Sequence, residues 1–190
     1  MTHLTDGGIF YFGGTSPHDM YHIQTVNGMP IAFVGIDRTI STTPLDDVYA
    51  LIETLSASSS SVVVHIHWGN EYETMYSTEQ QNIAHALIDH GADLIIGSHP
   101  HVMQPAELYK GKVVFYSLGN FVFDQIDEET TQGYAVEMFL EQAGITYAVR
   151  PYRIIKTQPS FLSADESEKI CKKILKNIVA SSTCSFVVSK

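Results

Sequence analysis

Three of the nine histidines in this 190-residue chain stand where β-branched runs give way to turns: His67 in His67-Trp68-Gly69, and His99 and His101 in Gly97-Ser98-His99-Pro100-His101. Neutral imidazole is the commonest transition-metal ligand, and histidines one residue apart in a non-helical loop can address one ion or two neighbouring ions. In a sheet covered by helices, the loops at the carboxyl ends of the strands converge on one crevice, so His67, His99 and His101 are expected to meet there. A lone strand-end histidine is more often a hydrogen-bonded structural residue, but three that converge point to a metal site. His65 lies two residues before His67, on the same face of its strand, and is read as structural or as a group supporting the ligands from behind. His85 and His90 fall on the polar side or end of a helix and are expected to be solvated, while His3, His18 and His22 have no partner pattern.

The elements that must place these residues follow from periodicity. Apolar runs over 21–26 and 30–36 flank Asn27-Gly28, the dipeptide best suited to the positive φ angles of a tight hairpin. Thr43-Pro44 with Asp46 and Asp47 starts a helix whose Leu45, Val48, Ile52 and Leu55 share one face. The nearly continuous apolar run 62–67 suits a strand covered on both sides. Ser77 and Gln80 form a capping box for a second helix carrying Ile83, Ala84, Leu87 and Ile88 and closed by Gly91; residues 93–97 are the next buried strand. Beyond a loop over 98–110, short strands are expected at 112–116 and 120–123, and a hairpin at 134–140 and 145–150 around Ala143-Gly144. Ser163 with Glu166 caps a last helix with Ile170, Ile174 and Ile178 in its stripe. The pattern predicts an α/β fold of mixed sheets flanked by helices, with residues 1–160 forming the body and 161–190 a helix and tail packed on it.

Twenty-one acidic against eleven basic residues give a formal charge of −10, which repels phosphate backbones and anionic lipid surfaces; nucleic acid is not an expected partner. No stretch reaches the roughly 20 apolar residues of a membrane span, and MTHLTDGGIF lacks the regions of a signal peptide. The two cysteines, Cys171 and Cys184, are not a CxxC pair; they can join in an exported chain or stay free in a cytosol.

Three blocks carry a resemblance: His67-Trp68-Gly69-Asn70-Glu71-Tyr72; 91–102, GADLIIGSHPHV; and 116–124, YSLGNFVFD. In order and spacing they resemble the bacterial capsule-synthesis (CapA, poly-γ-glutamate) family, over roughly residues 9–158, and the turn Glu107-Leu108-Tyr109-Lys110-Gly111 fits it too. The resemblance implies a calcineurin-like metallophosphoesterase sandwich with a divalent metal pair of manganese, iron or zinc, His67, His99 and His101 among the ligands, Glu71 beside the site, and Asn120 as a residue that caps backbone. It also implies an N-terminal half, with a Gly-Asp motif and an Asn-Asn-His block, that does not occur in this sequence; the expectation is therefore a partial sandwich and half a site. The function so implied is capsule or poly-γ-glutamate biosynthesis at the cell envelope, inactive as this chain alone, with the missing half, self-association or an acidic polymer as partners. The competing expectation is a non-catalytic envelope scaffold for such a polymer.

Overall fold

The computed structural model describes residues 4, 6–14, 16, 18–40, 43–141, 144–179 and 183–189. Strands β1 (Tyr21–Val26) and β2 (Met29–Asp37) form the expected antiparallel hairpin, with Asn27 and Gly28 at φ 50° and 81° as a two-residue turn of this kind requires. The chain then alternates: α1 (Leu45–Ser56), β3 (Ser61–His67), α2 (Thr78–Asp89), β4 (Leu94–Ser98). Strand β5 (Met103–Tyr109) and strand β6 (Lys112–Leu118) complete a six-stranded sheet in the order β1-β2-β3-β4-β6-β5, parallel from β2 through β6 and antiparallel at both edges.

Each face of this sheet is buried by a different layer. Val34, Val62, Val64 and Ile66 point toward α1 and α2, where Val48, Ile52, Leu55, Ala84 and Leu87 meet them. The alternate residues Ile31, Val63, Leu94 and Phe115 face a second, antiparallel sheet of β7 (Gln132–Leu140), β8 (Gly144–Ile155), β9 (Gln158–Phe161) and β10 (Ser185–Ser189). Burial on both faces is why the parallel strands are apolar almost throughout. The last helix, α3 (Ala164–Ile174), adds Cys171 and Ile174 to this second core, and a disulfide from Cys171 to Cys184 ties it to the approach to β10, which pairs with β8.

The structure departs from the periodicity in identifiable places. Residues 103–109, expected as loop, are strand β5; Pro105 within the run disguises it, and its place at the sheet edge is where a proline is tolerated. Residues 120–123 are not a strand: Asn120 is buried by side-chain hydrogen bonds, whereas Phe121 and Val122 are 57% and 64% exposed. Helix α3 stops at Ile174, so Ile178 joins the core from a turn instead. Strands β9 and β10 had no expectation, and Ala143 and His3 lie outside the described residues.

Two contacts give measurable tests. A Cβ on Gly97 would lie 2.0 Å from the Tyr116 carbonyl oxygen and 2.5 Å from the Trp68 indole nitrogen. Gly97→Ala must therefore push β4 from β6, and a loss of about 1–3 kcal/mol is expected in urea unfolding. Replacing Cys171 and Cys184 by serine opens a loop of 13-residue separation, and chain entropy puts that loss near ~3 kcal/mol. Wild-type stability that ignores dithiothreitol would contradict the second expectation.

Candidate metal centre

The parallel register sets Asp37 of β2 beside His67 of β3, and His67 beside Ser98 of β4, so three strand ends present a row of polar side chains at one rim of the sheet. His67 Nδ1 lies 3.1 Å from Ser98 Oγ, and its Nε2 lies 3.0 Å from His99 Nδ1. Two loops then carry the remaining groups over this rim. In the first, Trp68 N–H donates to Ser98 O at 3.0 Å and Tyr72 N–H to Pro100 O at 2.8 Å, which ties it to the second. Tyr72, His99 and His101 hold φ of 66°, 101° and 62°. Such angles cost a non-glycine residue on the order of 1–3 kcal/mol and persist only where the surroundings enforce them, as those inter-loop hydrogen bonds do.

Asn120 fixes the proton on His101. Its Nδ2 donates to Gln125 Oε1 at 2.8 Å and to Thr130 O at 3.1 Å, which turns Oδ1 toward His101 Nδ1 at 2.7 Å. An amide oxygen only accepts, so Nδ1 bears the hydrogen and a neutral His101 presents the lone pair of Nε2. That nitrogen is 3.9 Å from Glu71 Oε1. One donor atom from each of Glu71, His99 and His101 lies within 4.8 Å of the others. Ligand bonds of roughly 2.1 Å in a tetrahedral shell separate donors by roughly 3.4 Å, so this set fits one ion after a small inward movement.

Glu71, expected beside the site, thus stands among the candidate donors, while His67 approaches through His99. His65 lines the same face, packed against Phe12 and Phe33, at a cavity of about 420 Å³ between the sheets. Burial lowers the pKa of His65 below its usual 6.5, and burial together with the neighbouring His99 lowers that of His67. His85 and His90 are not merely solvated: His85 stacks on Tyr109 and bonds Glu107 at 3.2 Å, and His90 stacks on Tyr49 and bonds Glu53 at 2.8 Å.

Several contributors escaped the sequence reading. Gln104, fully buried on β5, donates to the Glu73 and Met75 carbonyls and accepts from Gln80, so it holds the loop that carries Glu71. Asp37 lies next to His67; burial works to raise its carboxyl, but hydrogen bonds from the Thr39 hydroxyl and from the Thr39 and Ile40 N–H groups hold it below the usual carboxylate value. A detectable signal existed, since Asp37-Arg38-Thr39 follows a β-branched run just as His67-Trp68-Gly69 does.

The molecule is thus an α/β protein with a histidine–carboxylate centre at the carboxyl ends of its parallel strands. The model of the bacterial capsule synthesis protein PGA_cap matches residues 1–125, and the chain belongs to that family. It is 34% identical over 179 residues to the PGA biosynthesis protein CapA of Bacillus subtilis, covering 87% of this chain and 47% of that protein. It is 32% identical over 173 residues to the capsule biosynthesis protein CapA of Bacillus anthracis, covering 81% and 42%. The chain thus spans less than half the length of these relatives. Among solved structures, a phosphatase from Mycoplasma pneumoniae aligns over 76% of this chain and 57% of its own, at 15% identity and a TM-score of 0.46.

The lowered pKa of His65 sets the sign of a pH effect. The unfolded chain takes up a proton at that residue first, so its contribution to stability is present above about pH 6.5 and is lost as pH falls below it toward the folded value. In chelator, the urea midpoint should fall from about pH 7 to about pH 5, and His65→Gln should flatten the fall. An unchanged slope in that variant would assign the effect to other groups.

Proposed function

We propose that this chain supplies the histidine side of a metal-dependent, phosphoesterase-like site that serves capsule or poly-γ-glutamate synthesis. The observation that carries the reading is the cluster of Glu71, His99 and His101, with Asn120 holding the His101 tautomer that frees a lone pair. His67, 3.0 Å from His99, extends the donor row toward the position of a second ion. A bound divalent ion of the manganese, iron or zinc class would polarise a phosphoryl or acyl-phosphate oxygen and lower the pKa of water. The chain's own part is to orient imidazoles, to hold Glu71 in reach through Gln104, and to keep His67 neutral beside Asp37.

A two-ion site also calls for a bridging carboxylate, and among the described residues the metal-type cluster contains only Glu71. Asp37 stands outside that cluster, with Oδ1 accepting from the Thr39 hydroxyl and from the Thr39 and Ile40 N–H groups. In this reading the remaining oxygen ligands come from further chain of the kind its longer relatives possess, or from a partner, and the acidic polymer is the substrate class. A non-catalytic scaffold is the second reading, favoured by the same shortage of carboxylates.

Titration calorimetry with manganese or zinc is expected to show one weak site in residues 1–190. His101→Ala or Glu71→Gln should abolish it, Asn120→Ala should weaken it about 10- to 100-fold, and His85→Ala should leave it unchanged. Hydrolysis of an aryl phosphate by this chain alone is expected to be undetectable. Absence of metal binding in the wild type would sink the reading, and hydrolysis that survives His101→Ala would place the chemistry elsewhere.

A further inference from the structure

Among the described residues lining the cavity at the edge of this centre, Arg38 is the one arginine or lysine, and its role is not explained by the site described above. It follows Asp37 directly, and its main-chain N–H donates to the His67 carbonyl at 2.7 Å. Its guanidinium spends Nη1 on the Thr43 carbonyl at 3.0 Å, while Nε is buried with no hydrogen-bond partner. No carboxylate of the described residues lies within ion-pair distance of it. Arg38 lines a cavity of about 560 Å³ whose wall continues through Trp68, Gly69 and Asn70 to His99. A partly buried guanidinium with an unsatisfied donor, in a chain of charge −10, is a costly feature to keep without an anion to meet.

We propose that Arg38 and this cavity form an oxyanion-binding subsite beside the metal centre, which takes a carboxylate or phosphate group of the substrate. The inference rests on the function proposed above, because it is the His99 wall that would bring the bound anion to the metal donors. The planar fork of arginine suits both groups, since each offers two oxygens at the spacing of its N–H donors. The cavity's own carboxylate, Glu79, is exposed on the first turn of α2 and remains in water, where its repulsion is screened. Specificity would then arise from position: an anionic group seated on Arg38 places the next bond of the substrate toward His99 and His101. The hydrogen bond to Thr43 gives the residue a second task, tethering the β2–α1 loop, so any test must separate anion binding from loop order.

The test is anion binding to residues 1–190 in chelator, with inorganic phosphate and glutarate as separate probes, read by chemical shifts of the Arg38 side chain and of Trp68. Saturable binding of either is expected, and which probe binds tells phosphate from carboxylate as the natural group. Arg38→Met should weaken it by about tenfold or more, and Arg38→Lys should restore only part, because it keeps the charge and loses the fork. Both variants should keep the metal affinity of the wild type, whereas His101→Ala should lose metal and keep the anion, so failure of one reading is distinguishable from failure of the other. Thermal unfolding of Arg38→Lys close to that of wild type separates the role from loop tethering. The proposal is overturned if neither probe saturates, or if Arg38→Met binds phosphate and glutarate as wild type does.

Discussion

The parallel register of β2, β3 and β4 is the constraint on which the site depends. Strand pairing places Asp37, His67 and Ser98 in one row, and a slip of one residue would turn each of them to the helix-covered face. That slip is blocked by burial on both sides: Val34, Val64 and Ile66 would have to leave the helices, and Ile31, Val63 and Leu94 the second sheet. The close approach of Gly97 to the Tyr116 carbonyl locks β4 to β6 by the same logic, and the Trp68 indole N–H donates to that carbonyl at 2.9 Å. The hydrophobic core therefore fixes the chemistry's geometry before any polar contact is counted.

Polar groups then add what packing cannot, namely direction. Gln80 and Gln104 are both buried, and each amide finds partners: Gln80 serves the cap of α2 at Ser77 and donates to Gln104, which in turn holds two carbonyls of the Glu71 loop. Asn120 plays the matching part under His101, with its own carbonyl accepting from the Tyr152 hydroxyl at 2.8 Å. A buried amide left with one end unsatisfied would cost about 1–3 kcal/mol, so these networks hold together as units or not at all. The consequence is a loop pair whose strained φ angles are tied by the protein's own hydrogen bonds.

How much of this was legible in the sequence follows from the range of the interactions concerned. Strands β3 and β4, both helices of the first layer, and the His67, His99 and His101 group declare themselves locally, through runs of valine and isoleucine, a Ser-x-x-Gln cap and histidines at the breaks. Strand β5 did not, because Pro105 masks an edge strand whose partner is supplied only by folding. The stretch 120–123 misled in the opposite way: Phe121-Val122-Phe123 has strand composition, but Asn120 is drawn inward by Thr130 and Gln125, which turns the chain and leaves Phe121 and Val122 in solvent. Gln104 carries no motif at all, since its role exists only through contacts with main-chain atoms and side chains far off in the sequence.

Electrostatics gives the last step. The row at the sheet rim holds two carboxylates, Asp37 and Glu71, beside its histidines, so without an ion these two groups give it negative charge. Burial and the closeness of His99 lower the pKa of His67, so protonation of that imidazole is disfavoured and does not offset this charge. A divalent ion would be the largest charge in such a place and would change it at once, with Arg38 extending the positive region into the adjoining cavity. In a chain whose acidic residues outnumber the basic by ten, attraction for an anionic group would then be local: it would rest on the guanidinium in the cavity and be strengthened where a held ion stands beside it.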